Sequence, residues 1–176
     1  QGICRKIKLF IDELLNEYRF QNFKRLCELN IIKTKESYIF PQYINPINST
    51  DNIALSLYDS ELDDLNETEF RIINKICSTG IKWWHRIGSR KPNEFYINGF
   101  INHYPDFVIC TKNNKILLIE VKGEDRDGTD SQRKLFLGRK WQEMSDQKFK
   151  YFMVFEDRAM AIDGAVQIDD LIGILQ

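Results

Sequence analysis

The chain has 176 residues, 43% of them apolar and 12% aromatic, which suits one domain with a sizeable core. A formal net charge of −1 excludes a global attraction to nucleic acid, so phosphate binding must come from a local patch. There is no secretory signal and no apolar run of roughly eighteen residues, and Cys4, Cys27, Cys77 and Cys110 form no CxxC, so no membrane and a cytoplasmic protein with reduced thiols are expected.

Ile3, Ile7, Phe10, Ile11, Leu14, Leu15 and Tyr18 recur at helical spacing among charged residues, predicting an amphipathic helix. A second helical stretch over residues 22–29 continues it. The expectation is that this helix packs on the domain's own core, with a joint to a larger protein as the alternative. Residues 33–56 hold Pro41, Pro46 and an Asn-Ser-Thr-Asp cluster, which reads as an irregular connector.

Residues 67–78 predict a helix with Phe70, Ile73, Ile76 and Cys77 inward, closed by Thr79-Gly80. Asn66 and Glu69 have the spacing of a capping box. Residues 81–87 predict a strand with one of Trp83 and Trp84 in the core. Lys82, Arg86, Arg90 and Lys91, interleaved with aromatics, form either a phosphate-contacting patch or a solvated edge. Phe95-Tyr96-Ile97 and Asn98-Gly99 suggest another strand and a tight turn.

The most informative pairing follows. Asp106 opens the apolar run 107–111, and Glu120 and Lys122 close the run 116–121, with Lys112-Asn113-Asn114-Lys115 as a turn between them. Two acids and a lysine at the ends of buried strands are costly as core filling but suit a hard divalent cation, which takes one or two carboxylates and leaves room for phosphate oxygens. Glu120 and Lys122 share a strand face because side chains alternate. A two-residue loop at Asn113-Asn114 would set Asp106 opposite Val121 and throw the acids onto opposite faces. A shared metal therefore requires an odd-length loop, three residues being the simplest, or a bulge.

Residues 124–130 read as a charged loop, and Thr129 or Asp130 as the cap of a helix over 131–145 with Leu135, Trp141 and Met144 inward. Lys134 is the preferred site-adjacent cation on that helix. A buried strand over 151–155 and a closing helix over 168–175 complete an α/β arrangement, helices flanking a mixed central sheet. Residues 1–56 are taken as an N-terminal helical segment and connector, and 57–176 as the domain that carries the site.

Pro105-Asp106 with Glu120-Val121-Lys122 resembles the PD-(D/E)xK nuclease superfamily, whose fold is restriction-endonuclease-like. With Leu57-Tyr58, Asn66-x-x-Glu69, Lys82-Trp83-Trp84-His85-Arg86, Ile97-Asn98-Gly99 and Tyr104-Pro105-Asp106-Phe107, residues 40–157 are similar to the C-terminal nuclease domain of type III restriction enzymes and related helicase-nucleases. The resemblance implies a Mg²⁺- or Mn²⁺-dependent DNA endonuclease leaving 5′-phosphate and 3′-hydroxyl ends, in a restriction or phage-defence system. It implies Asp106, Glu120 and the Val121 carbonyl as metal ligands, with Glu69 as a further acid and Lys122 as the catalytic cation. Arg86, Arg90, Lys91, Gln132 and Lys134 are the candidate nucleic-acid contacts, although Gln132-x-x-x-Phe136 matches only part of the RecB-like Gln-x-x-x-Tyr motif. A helicase or translocase region, in the same or a partner chain, and a methyltransferase subunit are the implied partners. No GxxxxGK[ST] phosphate loop occurs, so a motor would lie outside these residues. The alternative is a catalytically silent nuclease-fold domain that binds DNA or docks a partner.

Overall fold

Two apolar runs form the middle of the sheet because neither has a polar face to turn to water. The computed structural model describes residues 2–35, 37–46, 48–50, 53–62, 64–89, 94–123, 128–156 and 162–175, without the side chains of Thr50 and Leu62. In chain order these contain α1 (Gly2–Glu28), β1 (Ser49–Thr50), β2 (Glu61–Leu62), α2 (Glu67–Ser78), β3 (Trp83–Arg86), β4 (Ile97–Asn98) and β5 (Asn102–His103). There follow β6 (Phe107–Cys110), β7 (Ile116–Lys122), α3 (Thr129–Met144), β8 (Phe149–Phe155), β9 (Val166–Gln167) and α4 (Ile168–Leu175). The five-stranded sheet runs β3-β6-β7-β8-β9, antiparallel as far as β7 and parallel beyond it. Mixed pairing follows from the connections, since a short turn joins β6 to β7 whereas β7 reaches β8 through α3.

Alternation along the strands divides the core. Trp84, Phe107, Ile109, Leu117, Ile119 and Val154 face α2 and α4, where Ile72, Ile73, Ile76, Ile168 and Leu171 meet them. Val108, Leu118, Tyr151, Met153 and Phe155 face the other way, toward Leu135 and Leu137 of α3 and Phe23 of α1. Each fully buried side chain of this size contributes about 1.5–3 kcal/mol. In the middle of α3, Gly138 lets the helix lie close on β8, because a methyl group there would collide with the Tyr151 ring.

The capping box of α2 forms as its spacing predicts, Asn66 Oδ1 accepting from Glu69 N and Glu69 Oε2 from Asn66 N. Its inner face differs by one step. Ile72, Ile73, Ile76 and Glu69 are buried, while Phe70 points to solvent. On α3 the cap is Gly128, with no side-chain hydrogen bond, rather than Thr129 or Asp130. The N-terminal helix is continuous and does not pack on the core along its length. Among the described residues it docks through its C-terminal half, Phe20 and Phe23 against Phe100 and Phe136 and Glu17 on Arg133. Cys4 is exposed and Cys110 buried, and none of the four cysteines is bonded to another. Among the described residues no helix is long and apolar enough to cross a membrane.

Candidate active site

The β6–β7 turn decides the geometry. Cys110 pairs with Ile116 and Phe107 with Ile119, and Thr111 N donates to Lys115 O, leaving a three-residue loop. Asn114 takes the left-handed conformation there at φ 58°, which asparagine tolerates better than most residues. One step beyond Phe107 and Ile119, Asp106 stands opposite Glu120 on one face. The odd-length condition set by the sequence is met. Glu120 and Lys122 follow Leu118 in alternation, so all three groups lie on the α3 side of the sheet.

Burial makes their partners matter. Glu120 is 3% and Lys122 8% exposed. Lys122 Nζ lies 2.7 Å from Glu120 Oε1, and Lys134 Nζ, reaching down from α3, lies 3.2 Å from the same oxygen. Burial alone would lower the Lys134 pKa, but the charges of Glu120 and Asp130 outweigh it and raise it. Asp106 Oδ2 accepts from Val121 N at 2.7 Å and Oδ1 from Arg86 Nη1 at 3.0 Å. Its carboxyl is nevertheless held above the usual aspartate range, by burial first and then by the Glu120 charge, with Arg86 and the Val121 N–H pulling the other way. A half-buried Asp106 and a buried Glu120 thus face one another.

The donor set of these acids is the test of fit for a divalent ion. Asp106 and Glu120 offer hard oxygen donors on one face, and Val121 turns its carbonyl to the same side as its N–H, which meets Asp106. These three groups could hold Mg²⁺ or Mn²⁺. Glu69 does not join them directly. Its Oε2 lies 3.2 Å from Arg86 Nη2, and the guanidinium stands between it and Asp106. Among the described residues no three His, Cys, Asp or Glu side chains are grouped closely enough for a metal on their own. The Glu69 pKa is raised, by burial and then by Asp106.

Arg86 corrects the expectation of a surface phosphate contact. It is 8% exposed, and its Nε adds a third carboxylate, Asp64, at 3.0 Å, so it braces the site from the α2 side instead. Arg90 and Lys91 lie outside the described residues. Gln132 is exposed on the first turn of α3, with its backbone N–H on Gly128 O. Lys134, by contrast, is in the site.

His103, two positions past a tight β4–β5 connection, is buried with Nε2 2.8 Å from the Tyr151 hydroxyl. Burial, then Lys134 and Lys122, push its pKa down to about 3, so the imidazole is neutral and its 3.9 Å approach to Glu120 is no ion pair. Its Nδ1 has no partner among the described residues. Nothing in the sequence marks Tyr151, 48 residues away, as the partner of His103.

The sequence also conceals a second buried cluster. His85 Nδ1 lies 3.0 Å from Glu61 Oε2 and its Nε2 3.2 Å from Glu94 Oε1. Burial pushes His85 down, yet the two carboxylates bonded to it prevail and raise it to about 9. A cavity of about 580 Å³ lined by Phe95, Trp141 and Phe149 opens near the start of β8, and none of the candidate ligands lines it.

No protein-family model, curated protein or solved structure matches the chain.

Proposed function

We propose that this chain is a metal-dependent DNA endonuclease domain with a restriction-endonuclease-like core, acting as the cleavage module of a restriction or phage-defence helicase-nuclease. The observation that carries the reading is the register that sets Asp106 against Glu120 with Lys122 on the same face. Asp106, Glu120 and the Val121 carbonyl are the ligands, and Glu69 acts through Arg86.

A bound Mg²⁺ or Mn²⁺ supplies Lewis-acid polarisation of the phosphoryl oxygen and a lowered pKa for water. Lys122, held by Glu120, places an ammonium where negative charge grows as the nucleophile approaches phosphorus. Lys134 adds a second cation on the same oxygen. Water attacks in line and gives up a proton to solvent, the phosphorus–O3′ bond breaks, and the departing oxygen takes a proton from solvent to give a 3′-hydroxyl opposite a 5′-phosphate. His103, with a pKa near 3 and a bond to Tyr151, is a weak base and serves packing. DNA as substrate, the motor and the methyltransferase partner rest on the resemblance alone.

One observation favours the silent alternative, a nuclease-fold domain that binds DNA or docks a partner. Arg86, Lys122 and Lys134 already neutralise the acids in part. Plasmid nicking separates the two. Wild type should nick supercoiled DNA in Mg²⁺ or Mn²⁺ and stop in chelator, while Asp106→Ala and Lys122→Ala should not nick. Equal cleavage by all three proteins excludes the assigned residues, and binding without cleavage by wild type favours the silent reading.

A further inference from the structure

The cavity near the start of β8 takes no part in the chemistry above. At about 580 Å³ it falls within the roughly 300–1,000 Å³ of small-ligand pockets. One wall is a continuous run of rings set edge to face, with centroids 5.2 Å apart from Tyr38 to Phe95, 6.2 Å from Phe95 to Trp141 and 5.7 Å from Trp141 to Phe149. The last three rings are only half-buried although they border the core, so part of each is left to the cavity. Such a wall accepts another flat ring by stacking, whatever that ring's hydrogen-bonding pattern.

Charge selects among flat ligands. Lys33, Lys35, Lys140 and Lys148 line the cavity together with the acids Glu94 and Asp146. Glu94 is engaged inward, its oxygens accepting from His85 Nε2, Gly88 N and Phe95 N. Lys140 lies 2.6 Å from Glu143, and Lys148 lies 3.9 Å from Asp146. Lys33 and Lys35 have no acid partner among the described residues. Burial alternates over this stretch, Ile32 and Thr34 half-buried and both lysines exposed, which sets the two ammonium groups on one side of the chain. Thr34 Oγ1, donating to Met144 O at 3.2 Å, pins the stretch to the end of α3 beside the ring wall. Asn98, lining the same space, adds an amide that both donates and accepts. The matching ligand joins a flat, polar-edged ring to an anion.

We propose that this cavity binds a nucleotide, with its base on the wall of Phe95, Trp141 and Phe149 and its phosphate at Lys33 and Lys35. A free nucleotide and one unit of a single strand present the same base and phosphate, and the experiment tells them apart. In the parallel pairing of β7 with β8, Phe149 stands beside Ile116 and Phe155 beside Lys122, so the wall lies about 20 Å along the sheet from the carboxylate site. The inference does not depend on the nuclease reading.

Calorimetric titration of the full chain in chelator tests this, with each common nucleoside monophosphate and, separately, a short mixed-sequence single strand as probes. At least one probe should bind. Trp141→Leu should weaken that binding about 5–150-fold, the worth of one base–aromatic stack. Lys33→Ala with Lys35→Ala, at exposed side chains that leave the fold alone, should weaken it several-fold and flatten its salt dependence. The nucleoside without its phosphate should bind wild type no better than the monophosphate binds the double variant. Tight binding of a monophosphate assigns the free nucleotide, and binding of the strand alone assigns nucleic acid. No binding of any probe, binding indifferent to both variants, or strand binding that Lys134→Ala abolishes and Trp141→Leu spares would each overturn the proposal. Nicking plays no part in this readout, so failure here leaves the metal site standing, and failure of the metal site leaves this one.

Discussion

Two buried histidines one strand apart in the chain show how neighbours, not depth, set chemistry. His85 and His103 are both 1% exposed, yet one is raised to about 9 and the other lowered to about 3. His85 sits between Glu61 and Glu94, a closed cluster whose charges are used up on one another. His103 sits beside Lys122 and Lys134, whose positive charge surrounds Glu120 and faces the acid pair. The first cluster holds loops to β3. The second gathers Lys122 and Lys134 on one Glu120 oxygen and Arg86 on Asp106.

The largest expected effect is on the second cluster. Lys122→Ala should lower the nicking rate by about 10²–10³ or more, the range for removing one preorganised charge from a transition state. Lys122→Arg should recover little, because the guanidinium cannot occupy the same point beside Glu120. Single-turnover nicking of plasmid under excess enzyme reads both. The matched change at the first cluster, Glu61→Ala, leaves His85 half-paired in the core. It should cost about 3–5 kcal/mol of stability in denaturant titration while the nicking rate per folded molecule stays unchanged.

The two histidines also give opposite pH limbs. His85 has a folded pKa above its unfolded value of 6.5, so its contribution is fully present below about pH 6.5 and is lost as pH rises through 9. The loss should be on the order of 3 kcal/mol. His103 is shifted the other way, so in metal-free protein it favours unfolding as pH falls below 6.5 toward 3. Melting curves across pH should show the alkaline limb flattened in His85→Gln and the acid limb flattened in His103→Gln. No change of either limb would refute the contrast. Smaller still, Asn66→Ala should cost about 0.5–2 kcal/mol, because Glu69 N loses its Oδ1 acceptor while the backbone N–H of residue 66 still reaches the Glu69 carboxylate.

What the sequence disclosed follows the physics of locality. The strands carrying Asp106 and Glu120, the capping box at Asn66 and Glu69, and the helix over 168–175 are written in short-range pattern, and the structure has them. The turn length is legible only as a condition, because Asn113-Asn114 permits both loop sizes and the register chooses. Long-range partners are the part that pattern does not reach. Arg86 reads as a surface cation beside aromatics, but three carboxylates from different segments draw it inward. Glu61 and Glu94 come from separate segments to meet His85 on β3. The outward stripe of α1 gave a clear helix and a wrong destination, since amphipathicity says that a face will be covered and not by what.

Diffraction at the manganese edge from crystals soaked in Mn²⁺ reaches the central claim most directly. An anomalous peak should lie within coordination distance of both an Asp106 and a Glu120 oxygen, and vanish in Asp106→Asn. A peak bound elsewhere, or none at occupancies that fill other carboxylate sites, would contradict the account and leave Asp106 and Glu120 as internal counter-charges for Arg86, Lys122 and Lys134.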